Sequence, residues 1–275
     1  MRRPAFTLIE LIVVVGILGL LAALVFPVVA RIREAPRQTT CLSNMRQLGS
    51  ACRLYLSDWD ETYPLLWWAG ATYPYVNQTV VYRCPDDDNL VRLDGGKKAY
   101  PLSYSRNYNF LDQFHDAQLT SPTETVLLFE VTGINVQLQD PTEGVRSDKI
   151  GPQQFSGGGN GVDCDLVTTG PTTHDPFPTV SYETGVMDNA RSADDCTPSQ
   201  YDRPGRHQYG SNFIAADTHS KWLRAARVSA GYNALSTKAD QSHTGCKYHG
   251  TPPTPNQPCA AGTQNSKHTL TFSVN

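Results

Sequence analysis

The side chains able to do chemistry in this 275-residue chain are dispersed, and none falls into a familiar catalytic spacing. His207 is followed after nine residues by Asp217, with His219 two residues further on. Imidazole and carboxylate together are ligands for zinc and other transition metals. A simpler reading puts Asp217 in a turn between two strands, hydrogen-bonded to its own backbone, with His207 packed against it. That reading is preferred because no further ligand cluster accompanies the motif. The run Asp86-Asp87-Asp88-Asn89 offers oxygens of the kind calcium takes, or is simply a solvated acidic loop. The metal candidates are thus Asp86, Asp88, His207 and Asp217, with no cofactor required and calcium left open. Trp67-Trp68 and Tyr73 could stack on a sugar ring, or equally belong to a core or an interface. There is no Gly-x-Ser-x-Gly elbow, no P-loop and no His-Glu-x-x-His, so an enzyme is not expected. A net charge of −3 gives no electrostatic footprint for nucleic acid.

The seven cysteines are Cys41, Cys52, Cys84, Cys164, Cys196, Cys246 and Cys259. No two have the Cys-x-x-Cys spacing of a zinc or redox motif, and their wide scatter fits disulfides in an oxidising compartment. Seven is odd, so one thiol is free or pairs between chains.

A carboxylate inside an apolar run is the strongest local signal. The chain opens Met1-Arg2-Arg3-Pro4-Ala5 and Phe6-Thr7-Leu8-Ile9-Glu10, and the twenty residues from Leu11 to Ala30 carry no charge. At about 1.5 Å per residue this run spans a hydrocarbon core of roughly 30 Å. Arg2 and Arg3 hold the short end in the cytoplasm and place the chain beyond Ala30 on the outer side. A secretory signal cut after Val28-Val29-Ala30 is one reading, but such signals have an apolar region of about 7–15 residues and no place for Glu10. A plain anchor leaves Glu10 without a role, although an acid at a helix centre costs about 2.5–3.5 kcal/mol in the bilayer. The third reading is a basic leader of residues 1–5 cut before Phe6 at the cytoplasmic face, so that a membrane helix of residues 6–30 stays on the mature protein.

The segment Phe6-Thr7-Leu8-Ile9-Glu10-Leu11-Ile12-Val13-Val14 resembles the N-terminal signature of type IV pilins and type II secretion pseudopilins, with Ala5 where that family usually has Gly. The resemblance implies cleavage between Ala5 and Phe6 by a prepilin peptidase, methylation of the Phe6 amine, and polymerisation with other copies at an inner-membrane assembly platform. It also implies that Glu10 neutralises the Phe6 amine of a neighbouring subunit, the alternative being that Glu10 snorkels to the headgroups. The precursor is then expected in the inner membrane and the product in a periplasmic or cell-surface filament. Further on, Cys41–Gly49, Pro74-Tyr75-Val76, Arg83-Cys84-Pro85-Asp86 and Ser121–Thr125 are similar, in order, to the pseudopilin-like group named for an H-x9-D-G motif, with Thr218 in place of Gly.

A long helix and a set of short strands must carry these residues. Cys41, Met45, Leu48, Cys52, Tyr55 and Trp59 recur at steps of four and three, which makes one apolar face of a helix. A helix from Phe6 to about Trp59 is about 80 Å long, and Pro27 should kink it near its outer end. Strands are expected at Val80–Tyr82, Ser103–Phe110, Thr125–Val131, Asn212–Ala216, Lys221–Leu223 and, half-buried, Leu270–Val274. Residues 138–204 read as a loop-rich excursion and 224–275 as a C-terminal tail, both part of an extracytoplasmic head spanning 31–275. The fold class is α+β, a long N-terminal helix packed on an antiparallel sheet, which is also the pilin architecture.

Cys41 and Cys52, eleven residues apart on one helix, are about 16 Å apart and cannot bond. Cys84 follows an expected strand that should pack on that helix and belongs to the same recognisable set, so Cys41 is assigned to Cys84 and Cys52 to a buried free thiol. Cys164 with Cys196 and Cys246 with Cys259 would staple the two loop-rich stretches, although four cysteines allow three connectivities. Two functions from different classes stand side by side: a filament subunit of a pilus or secretion pseudopilus, and a membrane-tethered module that binds a ligand such as polysaccharide without polymerising. A metal hydrolase on the anchor would rest on the histidine motif alone.

Overall fold

The protein is seen as a computed structural model that describes residues 8–64, 67–94, 96–107, 110, 114–143, 181–184, 205–229, 268–272 and 274. Ala5, Phe6 and the four cysteines from Cys164 to Cys259 lie outside the described residues.

The first helix, α1, runs Leu8–Asp58 and continues through Pro27 and Pro36. Its 51 residues make it about 77 Å long. The apolar face expected from sequence is buried at Cys41, Met45, Leu48 and Cys52, each fully. It then departs from expectation at the end. Leu56 takes the core position, while Trp59 lies past the helix, exposed, stacked on Tyr55 at 5.4 Å between ring centroids. The helix ends at Asp58, and Asp60 and Glu61 take positive φ in the next turn, so the three-four rhythm no longer applies there.

A short helix α2 (Trp68–Val76) covers α1, and Trp68 is fully buried in the core rather than offered to a ligand. The segment Thr79–Tyr82 is a 3-10 turn, not the expected strand, with Val81 and Tyr82 buried and Val80 exposed. Its apolar run fits either conformation, and the local choice is one turn that points two side chains inward.

The main sheet holds β1 (Arg92–Asp94), β2 (Lys97–Arg106), β3 (Val126–Val136), β4 (Ser181–Tyr182), β5 (Ser211–Ala215) and β6 (Ser220–Leu223). Along it the order is β1-β2-β3-β5-β6, with β4 also pairing to β3, all antiparallel. The central β3 is the apolar run Val126-Leu127-Leu128-Phe129-Glu130-Val131, a strand covered on both faces. α1 packs across β5 and β6, and Gly49 permits the approach: a Cβ there would stand 3.1 Å from Ile214 Cγ2. The architecture is α+β, a long helix on an antiparallel sheet.

The chain end does not form the half-buried strand expected of it. Leu270–Thr271 (β8) pairs in parallel with Val228–Ser229 (β7), and Leu270, Thr271 and Phe272 are all fully buried. Asn107 Nδ2 donates to the Phe272 carbonyl at 3.0 Å, and Phe272 meets Phe129 edge-on at 5.1 Å. The segment is thus a plug into the core, not an edge strand.

Cys41 and Cys84 form a disulfide, with 5.0 Å between Cα atoms, that ties α1 to the segment after the 3-10 turn. Closing a loop of sequence separation 43 stabilises the fold by about 4 kcal/mol on the chain-entropy account. Cys52 is the free cysteine among the described residues, and burial pushes its thiol up to about 12, so it packs as an inert small hydrophobe.

Candidate functional site

Glu130 stands in the middle of β3 with no exposed surface, flanked along the strand by Phe129 and Val131. A buried carboxylate in such a strand demands donors. It accepts from Ser211 Oγ at 2.5 Å, from the Asn212 backbone N–H at 3.0 Å and from Asn212 Nδ2 at 3.1 Å, all at the start of β5. On its other side lies His207 Nε2, at 3.1 Å. Burial opposes the charge of Glu130, but the His207 hydrogen bond, the Arg206 guanidinium and Ser211 more than offset it. Its carboxyl is therefore held below the usual range.

His207 is placed by a tight turn. Its N–H donates to the Gly210 carbonyl at 2.9 Å and its own carbonyl accepts from Gly210 N–H at 3.0 Å, while Gln208 and Tyr209 between them have positive φ. This is a two-residue hairpin of the type that needs both central residues in the left-handed region. Trp222 Nε1 of β6 donates to the His207 carbonyl at 2.8 Å, and a Cβ on Gly210 would collide with the Trp222 ring at 2.5 Å. Gly210 is therefore required by close packing, and the turn locks the imidazole into the core.

The far side of the ring faces two more carboxylates. His207 Nδ1 lies 2.8 Å from Glu34 Oε1, on α1, and 3.4 Å from Asp86 Oδ2, just past the disulfide. Asp86 Oδ1 accepts from Arg37 of α1 at 2.7 Å, whereas Asp86 Oδ2 is buried without a hydrogen-bond donor. Burial works against a charged imidazole, but Glu130 and Glu34 on opposite sides raise the His207 pKa above its ordinary value.

Of the expected metal candidates, the fold brings Asp86 and His207 together and leaves the others apart. Asp88 is exposed. Asp217 accepts from the backbone N–H of His219 at 3.1 Å and contacts its ring nitrogen at 2.5 Å, the self-bonded turn expected of it. His207 does not pack against Asp217, however. The two flank β5 at opposite ends, and five strand residues at about 3.3 Å each keep them well apart. The Asp87 carboxylate is taken by Ser103 Oγ at 2.6 Å, the Asn89 N–H at 3.0 Å and Arg206 at 3.6 Å. Asp86, Asp87 and Asp88 thus do not converge as a shared set of ligands among the described residues. Cys84 Sγ is 3.6 Å from His207 Nε2, but it is spent in the disulfide and offers no thiolate.

Sequence reasoning missed Glu130 and Glu34. A glutamate interrupting Val126–Val131 was the available signal for the first, since an acid in a continuous apolar strand needs an internal partner. Glu34 carries no such mark, because an acid on a helix surface is ordinary.

At the other end of α1 the environment is reversed. Leu8–Val25 is a run of 18 residues apolar and long enough to cross a membrane, and each of them is exposed. Glu10 lies in its first turn. Residues 1–26 match the family described as the prokaryotic N-terminal methylation motif. The chain carries a prepilin-type signal. This signal is the cleavage signal of type IV pilins and pseudopilins, and with the apolar helix it fits a membrane-anchored precursor. It covers the stem alone; no curated protein and no solved structure matches the chain. The prepilin-type stem is thus identified by its residues, whereas the head must be read from its own geometry.

Proposed function

We propose that this prepilin-type chain is a structural subunit of a type IV pilus-like or type II secretion pseudopilus filament. A prepilin peptidase cuts between Ala5 and Phe6, and the subunit waits in the inner membrane until an assembly platform draws its helix into a filament. Glu10 then neutralises the Phe6 amine of a neighbouring copy. The head, from residue 31 onward, rides outside the cytoplasm and performs no catalysis.

One observation carries this reading. A methylation-type signal opens a helix whose first 18 described residues are all exposed, while the same helix further on forms the core of the head. The exposed half needs an apolar environment, which a bilayer supplies first and neighbouring helices supply later. The tethered-module alternative is weakened, because Trp68 of its aromatic set is buried in the core and Tyr73 packs against that core, half-buried.

Shearing cells, imaging the released material and measuring the intact mass of its subunits tests the proposal. Filaments built of a chain starting at N-methylated Phe6 are expected. A mature start at Arg31, or a processed chain found only in membranes and never in filaments, would overturn it.

A further inference from the structure

We infer that Glu34, Asp86 and His207 form a binding site for a divalent first-row transition-metal cation of the zinc class, clipping the stem helix to the head. The three come from α1, from the segment after the disulfide and from the turn before β5. Their ligand atoms all lie within 4.8 Å of one another.

Hydrogen bonding around His207 makes the case. Glu130 is a fully buried acceptor facing Nε2 at 3.1 Å, so Nε2 must carry a hydrogen. In the neutral ring that hydrogen is the only one, and the Nδ1 lone pair then points at Glu34 and Asp86. A lone pair against two carboxylates is repulsive unless a cation lies among them. A proton on Nδ1 serves Glu34 at 2.8 Å but leaves Asp86 Oδ2 buried and without a donor. A buried oxygen without a partner is costly, and more so when it bears charge. A metal ion satisfies Nδ1, Glu34 and Asp86 Oδ2 at once.

The surroundings have the form that metal-binding histidines take. Such a histidine hands its second ring N–H to a carboxylate, which fixes tautomer and orientation, and Glu130 is placed to do this. Its other donors, Ser211 and Asn212, hold it in turn. The spacing also fits. Ligand atoms about 2.0–2.2 Å from a tetrahedral ion stand about 3.3 Å apart. His207 Nδ1 and Asp86 Oδ2 are already at 3.4 Å, and Glu34, a quarter exposed, needs to draw back by only about half an ångström. One nitrogen and two carboxylates leave a fourth position for water, a set that suits zinc, whereas calcium and magnesium prefer oxygen throughout.

The test uses the full chain in detergent, disulfide intact, stripped with a chelator and titrated calorimetrically with zinc alone. One equivalent is expected to bind tightly and to raise the melting temperature. Glu34→Gln, a conservative change at a partly exposed position, and Asp86→Asn should each weaken that step at least 10-fold. Glu130→Gln, which touches no metal, should weaken it by about 10- to 100-fold. Cobalt substitution should give the visible absorption of a tetrahedral nitrogen–oxygen site in the parent chain and lose it in Glu34→Gln. Far-UV circular dichroism and an intact Cys41–Cys84 bond confirm that each variant is folded. No binding up to millimolar zinc would overturn the site and leave His207 holding a proton. Undiminished affinity in both Glu34→Gln and Asp86→Asn would place the metal on other histidines. Binding that appears only after disulfide reduction would assign it to thiolates. Each of these sinks the proposal without touching the filament reading, which rests on the stem.

Discussion

The two halves of α1 are continuous in backbone but differ in apolar pattern, and they end in opposite surroundings. From Leu8 to Val25 every side chain is exposed; from Cys41 to Leu56 the inward face is sealed by α2, β5 and β6. The second half shows the three-four rhythm that one buried face requires. The first half is apolar all round, the pattern of a helix whose whole circumference will be covered. A helix that is dressed on one side belongs to its own domain, and one that is apolar on every side belongs to a membrane or to its neighbours. On the proposed function, the difference separates two jobs along one rod: stability at the head end, assembly at the other.

That separation can be broken at Glu10, where the largest effect is expected. Glu10→Ala should abolish nearly all filament recovery while leaving processing, membrane residence and the Cys41–Cys84 bond unchanged. An unpaired amine of Phe6 in a water-poor helix bundle is costly, and the carboxylate of a neighbouring Glu10 offsets much of that cost. Glu10→Asp should be intermediate, because its charge remains and its reach is shorter. The readout is filament yield from a strain expressing only the variant. Normal yield from Glu10→Ala would mean that the acid only snorkels, and a misfolded head would mean that the two halves are coupled.

A matched pair of truncations sharpens the comparison from the other side. Leu48 is fully buried and Leu18 is 59% exposed, on the same helix. Leu48→Ala should destabilise the head by about 3 kcal/mol, the usual cost of a deleted core leucine. Leu18→Ala should leave head stability unchanged. Chemical denaturation of both variants in detergent, monitored by aromatic fluorescence, measures the difference. Equal losses would show that the stem contributes to the head fold after all.

How much of this was legible in sequence depends on how far apart the cooperating residues lie. α1 was readable because its signals are local, a charge-free run and then a stripe at fixed spacing. The Cys41–Cys84 bond was reachable because the helix excluded Cys41 with Cys52 and because Cys84 follows a run expected to pack on that helix, within the set of segments that carries the family resemblance. β5 and β6 were found to within one residue because β-branched and aromatic runs mark them, whereas β2 was expected at Ser103–Phe110 and runs Lys97–Arg106, and β3 continues five residues beyond the expected Val131. The cluster around His207 was not, since it joins positions 34, 86, 130 and 207, which only the pairing of β3 with β5 and the crossing of α1 bring together. His207 itself was singled out, but with Asp217 as its partner. Sequence proximity pointed to the near acid, and the strand between them carried it to the far end. The last turn of α1 shows the same limit on a smaller scale: periodicity continued to Trp59, but the helix stopped at Asp58 and handed its core position to Leu56.

The smallest effect is expected at Thr218, and its sign is informative. Thr218 has φ of 74°, in the left-handed region, at the tip of the β5–β6 hairpin. Its N–H donates to the Ala215 carbonyl at 2.8 Å, and the Ala215 N–H donates to the His219 carbonyl at 2.9 Å. This is a turn closed by one left-handed residue, a position where glycine is usual. A β-branched side chain suits it badly, since Cβ crowds the next carbonyl at a cost of roughly 1–2 kcal/mol. Glycine relieves that strain but gives the unfolded chain more freedom, so the net gain is smaller. The loop already approaches α1 closely, with Thr218 within 3.6–3.7 Å of where a Gly49 Cβ would stand, so a little packing is also lost. Thr218→Gly should therefore raise head stability by about 0.5–1 kcal/mol, read as a higher denaturant midpoint with an unchanged slope, and filament yield should not move. A loss of stability would show that the Thr218 contact with α1 outweighs its backbone strain. A change in filament yield would show that this hairpin, and not the stem alone, takes part in assembly.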